Sequence, residues 1–439
     1  MLEPLYTADE MRAAEAGHDV GEMMELAGRG VAEAILRRYP EARRIACVCG
    51  GGANGGDGRI AARVLREAGR DAVEELVGGA DLVLDALFGT GFHGEPRPEA
   101  AALIERMNGA GAPVIAVDVP SGVDASTGEV AGAAVRAELT VTMHAWKVGL
   151  AVAPGRFHAG EVEAVPIGVE HSDARNRLVT DEILRLVPLR SPEDNKYSAG
   201  AVLVVGGAPG LTGAACLAAE AAFRADAGYV AVAVPERSLP IVEQRLLEAV
   251  KRTLDEIDEL LPRMGALALG PGLGRGPSER ALVRRLLEET SLPAVVDADG
   301  LFELEPFERD APTVLTPHAG ELARLIGEGS EWVSAHRLAA LERAVERFDC
   351  VVLLKGADTL IGAPGDGVLA HVSTESGLAT AGTGDVLTGI VAAFLAKGLD
   401  ARTAAAAAAA AHARAARLAP HQAGLVASDV IELLPRALA

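Results

Sequence analysis

Two hydrophobic periods alternate along the chain. From Thr7 to Arg38 apolar residues recur at helical spacing, with Met24, Ala27, Val31 and Ile35 on one stripe. Thr7 followed by Glu10 has the spacing of a capping box. The run "RRIACVC" then predicts a buried strand, glycines follow, and Ile60, Val64 and Ala68 predict a helix over 58–68. Further Val/Leu-rich runs at 80–89, 112–122 and 139–145 predict strands with helices between some of them. Residues 171–200 are polar and proline-punctuated, which predicts a linker. A second series of apolar runs follows, at 201–207, 229–235, 266–272, 293–300, 313–318 and 350–356, and a long alanine-rich helical region begins after Asp385. Short strands alternating with helices predict largely parallel sheets. The fold class expected is α/β, in two domains over residues 1–170 and 175–439. In such sheets ligands gather at the carboxyl ends of the strands, and these strands end in Gly, Asp or Ser clusters.

Composition narrows the picture. Aromatic residues are only 3% of the 439, so the cores must be built from Ala, Val, Leu and Ile. The formal net charge of −21 argues against general binding of nucleic acid or an anionic membrane. It leaves room for an anionic ligand held by backbone amides. Cys47, Cys49, Cys216 and Cys350 lack zinc-site spacing and are expected to be buried free thiols. The N-terminus carries acids early and no basic-then-apolar leader, and no apolar run reaches the ~20 residues of a membrane span. A cytoplasmic protein is expected.

Two glycine clusters carry the candidate chemistry. The first, "CVCGGGANGGDGRIAARVL" (47–65), leads from a strand into a helix. That is the geometry of a phosphate cradle, although Asp57 as a plain helix cap is the simpler alternative. Nearby strand ends supply Asp85, Asp118 and Ser121. The oxygens of Asn54, Asp85 and Ser121 suit a hard or alkali cation. The second cluster is "TAGTGDVLTG" (380–389). Amides of Gly382, Thr383 and Gly384 would form an anion hole, and Asp385 beside them is placed to accept a hydroxyl proton. This is the logic of phosphoryl transfer; Thr383 or Asp385 as a mere cap is the alternative. Lys355, His318 with Glu321, and the exit "ALGPGLG" (268–274) complete the set. The ten histidines show no H-x-x-x-H spacing, so zinc is not expected.

In order, "GGANGGDG", "DALFGTG", "DVPSG" and "WKVGL" resemble the NAD(P)H-hydrate epimerase domain over about residues 1–168. The resemblance implies a Rossmann-like α/β/α sandwich and substrate contacts from Ala53, Asn54, Gly55, Gly56 and Asp57, from Gly89, Thr90, Gly91, Phe92, His93, Gly94 and Glu95, and from Asp118. It implies K⁺ held by Asn54, Asp85 and Ser121; Asp118 and Lys147 are the candidates for the acid–base work. Two departures stand out: Ala53 replaces a usual second asparagine, and the segment from Ala68 to Asp81 is short.

"GPGLG", "TPHAGE", "LLKGADT" and "AGTGDVLTG" resemble the ribokinase-like, ADP-dependent NAD(P)H-hydrate dehydratase domain over about residues 175–439. The resemblance implies adenine-nucleotide contacts from Lys355, Gly356, Ala357, Asp358, Thr359 and Gly384. It implies contacts to the hydrated cofactor from Ala214, Gly272, Gly274, His318 and Asp385. ADP is then consumed to AMP and phosphate with Mg²⁺, and Asp385 is the catalytic base. Here Ala319 replaces a usual proline and Glu375 stands near a usual asparagine, placing a carboxylate by the nucleotide phosphates. Substrates would be NADHX and NADPHX, and a homo-oligomer is expected. The rival reading is a ribokinase-like small-molecule kinase with a non-catalytic cofactor-binding N-terminal domain.

Overall fold

The computed structural model describes residues 2–170 and 173–439. Its contacts divide the chain into two units, the first mainly Pro4–Leu178 with Ser334–Leu338, the second mainly Val179–Val333 and Ala339–Ala439.

The first unit opens with α1 (Ala8–Glu15), started by the expected Thr7/Glu10 capping box, and α2 (Val20–Arg38), which buries Ala27, Val31 and Ile35. Six strands follow: β1 (Arg44–Cys49), β2 (Asp71–Val73), β3 (Leu82–Ala86), β4 (Val114–Val117), β5 (Leu139–Met143) and β6 (Glu161–Val165). All their pairings are parallel, in the order β2-β1-β3-β4-β5-β6. This is a doubly wound sheet whose direction of winding reverses between β1 and β3, where such folds bind ligands. β2 occupies the shortened segment, so the strand survives the deletion.

The helix expected over 58–68 instead spans Ala53–Glu67 (α3), capped by Gly52. Asn54, Gly55 and Gly56 therefore lie in its first turn, and Asp57 follows just beyond rather than capping it. Nor do these glycines serve a left-handed backbone, since Gly50 to Gly58 all lack positive φ. They permit close approach. A Cβ on Gly55 would lie 1.9 Å from the Gly50 carbonyl oxygen, and one on Gly50 would lie 2.1 Å from that of Leu87.

The second unit is built on β7 (Ala201–Val205), β8 (Tyr229–Val234), β9 (Val250–Thr253), β10 (Ala266–Leu269), β11 (Ala294–Val296), β12 (Thr313–Leu315), β13 (Val351–Leu354), β14 (Asp358–Gly362) and β15 (Leu369–Val372). They run β15-β14-β13-β12-β11-β10-β7-β8-β9, parallel except that β14 is antiparallel to both neighbours. Winding reverses between β7 and β10. The expected linker is partly ordered structure: Asn176–Val179 is a strand and Asp181–Leu186 a 3₁₀ turn, while residues 171 and 172 lie outside the described residues. The alanine-rich region forms two packed helices, α6 (Thr383–Ala396) and α7 (Ala401–Arg417), following α4 (Thr212–Arg224) and α5 (Ala319–Ile326). Ala404 to Ala411 are all buried, and all but Ala409 belong to the core that α4 and α6 share. All four cysteines are free thiols; Cys47, Cys216 and Cys350 are buried and Cys49 partly so.

Candidate functional site

In the first unit the exits of β1, β3 and β4 converge. Asp85, at the end of β3, is fully buried. The Ser121 amide donates to its Oδ2 at 2.8 Å, the Ser121 hydroxyl to Oδ1 at 2.6 Å, and the Leu87 amide to Oδ1 at 3.2 Å. The Phe88 amide donates to Ser121 Oγ at 2.8 Å, and Asn54 Nδ2 donates to the Phe88 carbonyl at 2.7 Å. Asn54, Asp85 and Ser121 thus share one knot with Phe88. Burial pushes the Asp85 carboxyl up to about 6, against the hydrogen bonds from Ser121 and Leu87. Asn54 Oδ1 is buried and makes no hydrogen bond.

Asp118 follows β4 in a left-handed conformation (φ 67°), rare for a residue with a Cβ. Its Oδ1 accepts from Lys147 Nζ at 2.6 Å and from the Met143 amide and Thr142 hydroxyl, each at 3.1 Å. Lys147 is fully buried, and its ammonium also donates to the Met143 carbonyl at 2.6 Å and Thr142 Oγ1 at 3.0 Å. That engages all three of its donors. Its expected part in proton transfer meets a side chain already locked in place.

Asp57 faces the same cluster. It is 8% exposed, and its Oδ1 makes no hydrogen bond. Burial, then the carboxylates of Asp118 and Glu15, push it up to about 8, against the pull of Lys147. Glu15, at the end of α1, is likewise raised by burial and by Asp118. The sequence reading missed it, because Glu15 precedes every glycine motif. The loop 89–95 forms the rim. Gly89 lies against Asn54, Phe92 stacks on Phe88 at 4.8 Å, and His93 Nδ1 is 2.7 Å from Asp124 Oδ2. Thr90, Gly91, Gly94 and Glu95 are partly or fully exposed around it, while Ala53 opens α3 at the surface.

In the second unit the loops after β7 and β10 are tied at the reversal point: the Gly207 amide donates to the Pro271 carbonyl at 2.9 Å and the Ala208 amide to that of Gly272 at 2.7 Å. Gly272 (φ 58°) needs its missing side chain, since a Cβ would lie 2.5 Å from the Leu211 carbonyl oxygen and 3.2 Å from Ala214 Cβ. The Gly274 amide donates to Asp299 Oδ2 at 3.0 Å, and Arg275 Nε to Asp299 Oδ1 at 2.7 Å.

Asp385 lies in the first turn of α6, after Gly382 in a left-handed cap (φ 90°) that only glycine takes readily. Neither Thr383 nor Asp385 caps the helix: the Thr383 hydroxyl donates instead to the Leu378 and Thr380 carbonyls. Burial, then Asp297, push the Asp385 carboxyl up to about 7; Lys355 opposes, and Asp299 and Glu321 add to the rise. Asp297 is buried. Its Oδ1 accepts from Lys355 Nζ at 2.7 Å and its Oδ2 from the Thr388 hydroxyl at 2.6 Å. Lys355 Nζ is 3.8 Å from Glu321 Oε2, and a Cβ on Gly384 would be 3.4 Å from Nζ. Burial works against the Lys355 charge, but Asp297, Glu321 and Asp385 outweigh it and raise its pKa.

His318 is the N-cap of α5: its Nδ1 accepts from the Gly320 and Glu321 amides, which leaves Nε2 as the protonated nitrogen, 3.4 Å from Glu321 Oε1. Gly356 and Ala357 are exposed and the Thr359 hydroxyl bonds the Gly356 carbonyl. Asp358, expected at the nucleotide, is instead buried in β14. Glu375, the carboxylate that stands near a usual asparagine, is paired. Arg417 Nε donates to it at 2.8 Å and the Ser373 hydroxyl at 2.6 Å, and these outweigh burial to hold its pKa down. Asp297, Asp299 and Thr388 were absent from the sequence reading, although "VDADG" at the end of β11 carries both aspartates. Among the described residues no helix is long and apolar enough to cross a membrane.

A family model described as NAD(P)H-hydrate dehydratase matches residues 202–436, and one described as YjeF-related protein N-terminus matches 20–76 and 70–149. The bifunctional NAD(P)H-hydrate repair enzyme of Moorella thermoacetica is 37% identical, over 95% of this chain and 92% of its own. The enzyme of the same name from Escherichia coli K12 is 31% identical, over 98% and 93%. The crystal structure of the ADP/ATP-dependent NAD(P)H-hydrate dehydratase from Bacillus subtilis, co-crystallised with ATP and Mg²⁺, superposes with a TM-score of 0.55 at 28% identity, covering 59% of this chain and 96% of that one. A ribokinase-like superfamily protein from Enterococcus faecalis superposes at 0.54 with 23% identity. With a parallel, doubly wound first unit and a ribokinase-like second unit, this chain belongs to the family of bifunctional NAD(P)H-hydrate repair enzymes.

Proposed function

We propose that the second unit, over residues 175–439, dehydrates the S form of hydrated NADH and NADPH at the expense of ADP, giving AMP and phosphate. The first unit, over residues 1–170, interconverts the R and S hydrates. The hydrate carries a hydroxyl at C6 of its reduced ring, and hydroxide is a poor leaving group. In this reading the Asp385 carboxylate takes the hydroxyl proton while the oxygen attacks the terminal phosphoryl of ADP. Amides of Gly382 to Gly384 hold the phosphoryl charge, and Lys355, fixed by Asp297, faces the same phosphates. AMP departs, the C6–O bond breaks as the ring nitrogen's lone pair pushes phosphate out, and loss of a C5 proton restores the dihydropyridine.

The observation that carries this reading is Asp385 in the first turn of α6, partly buried beside Lys355, with its carboxyl poised near neutrality. Mg²⁺ would be held chiefly by the nucleotide phosphates, because Asp297 and Asp299 are already engaged by Lys355 and Arg275. Its chemistry is charge neutralisation. In the first unit the unbonded Asn54 Oδ1, with the Phe88 carbonyl, Asp85 and Ser121 close by, fits K⁺, a hard cation that takes oxygen ligands.

The test is Asp385→Asn in the full chain. Recovery of NADH absorbance from S-NADHX with ADP should fall by about 10²–10⁴-fold, with nucleotide affinity within threefold of the wild type. Near-normal turnover by the variant refutes the assignment. A stable phosphorylated alcohol as product would make the protein a kinase instead.

A further inference from the structure

Two carboxylates face the same corner of the first unit, and they are in different condition. Asp118 accepts three hydrogen bonds on one oxygen, and its left-handed backbone fixes where it points. Lys147, its partner, has every donor engaged. The Lys147 ammonium cannot turn toward a ligand without dismantling the cluster, and Asp118 Oδ1 is committed to it. Asp57 is more than nine-tenths buried just past the first turn of α3, and its Oδ1 has no partner. A buried carboxyl oxygen left unbonded in a folded protein calls for an explanation, and a ligand hydroxyl supplies one.

We infer that Asp57 is the acid–base residue of the epimerisation, passing a proton to and from the C6 hydroxyl, while Lys147 is a positioning residue that holds Asp118. This rests on the reading of the first unit as an epimerase. In the forward step the Asp57 carboxyl donates its proton to the hydroxyl as the C6–O bond breaks. The ring nitrogen's lone pair forms the N1=C6 bond, and water is released. Water then returns to the other face of C6, the N1=C6 pair goes back to nitrogen, and the surplus proton returns to the Asp57 carboxylate. Nothing is oxidised or reduced. The charged groups facing Asp57 are Asp118, Glu15 and Lys147, and the two carboxylates together with burial keep it protonated at neutral pH.

The full-length protein tests this without nucleotide, because the dehydratase reaction then stands idle. One purified epimer of hydrated NADH is supplied, and formation of the other is followed by chromatography. The wild type should beat buffer, with kcat falling as pH rises through about 8. Asp57→Asn, nearly isosteric, should lower kcat by about 10²-fold or more, leave KM within threefold, and abolish the fall at high pH. If the wild type is no faster than buffer, the epimerase reading falls and this inference with it. If the wild type is fast and Asp57→Asn keeps its kcat, or changes only KM, the role of Asp57 alone is overturned.

Discussion

Lys355 Nζ lies 2.7 Å from Asp297 Oδ1, and this partly buried pair ties the end of β13 to the end of β11. The other Asp297 oxygen takes the hydroxyl of Thr388, three residues after Asp385 on α6. One carboxylate thus fixes both the lysine of the proposed phosphate site and the helix that bears the candidate base.

Asp297→Ala should therefore act twice. It takes the nearer carboxylate from the Lys355 ammonium, which keeps Glu321 Oε2 at 3.8 Å, a loss of about 1.5–3 kcal/mol for a hydrogen bond to a charged group. It also frees α6 to shift. We expect a clear fall in the denaturation midpoint of the second unit and at least a tenfold loss of dehydration rate. Asp297→Asn, which keeps the Thr388 hydrogen bond, should be milder on stability. Urea unfolding followed alongside NADH recovery checks both.

Dehydration should show one acid limb. The Asp385 carboxyl is held near 7, and its ionised form is the one that accepts a proton. So kcat/KM should fall as pH drops below about 7 and level off above about 8. A profile flat from pH 5.5 to 8 contradicts the assignment. The two halves of the chain should then differ in sign, with dehydration gaining and epimerisation losing rate as pH rises.

Potassium should stabilise the first unit measurably. With Asn54 Oδ1 the unbonded acceptor, replacing choline by K⁺ should raise the melting midpoint of the wild type, and Asn54→Ala should remove that rise. Differential scanning fluorimetry in the two chloride salts is sufficient. Equal shifts in both proteins would place the cation elsewhere.

Glu375 sits beside the proposed nucleotide loop, since the Ser373 amide donates to the Ala357 carbonyl at 2.9 Å. Arg417 already balances its charge, so Glu375→Gln should leave the KM for ADP within about twofold. Arg417→Met, which uncovers the carboxylate, should raise it several-fold; a nearby unpaired charge of the same sign as phosphate is repulsive. Steady-state kinetics at fixed Mg²⁺ separates the two variants.

Much of this architecture was legible in the apolar runs. They located β1, β3 to β5 and most strands of the second unit, each a few residues shorter in the structure because the glycine and aspartate exits bend away. What the runs could not reveal was pairing across distance. Asp297 reads as one more strand-end aspartate until folding sets it against Lys355, 58 residues away in sequence. Glu15 carries no local signature and gains meaning only beside Asp57 and Asp118. The helix is expected only from Gly58 because glycine weakens the helical pattern, yet tight packing against Gly50 lets it start at Ala53. The buried position of Asp358 follows from β14 turning back antiparallel, which the short segment after Lys355 did not announce.

Helix α7 has a last implication. With alanine on every side, it leaves its neighbours nothing pliable to press against, and an extra methylene there would overpack the core at a cost of about 1–3 kcal/mol. Inherited change along Ala404 to Ala411 should thus be confined to glycine, alanine and serine. Packed against α6, α7 gives the helix that bears Asp385 a stiff floor.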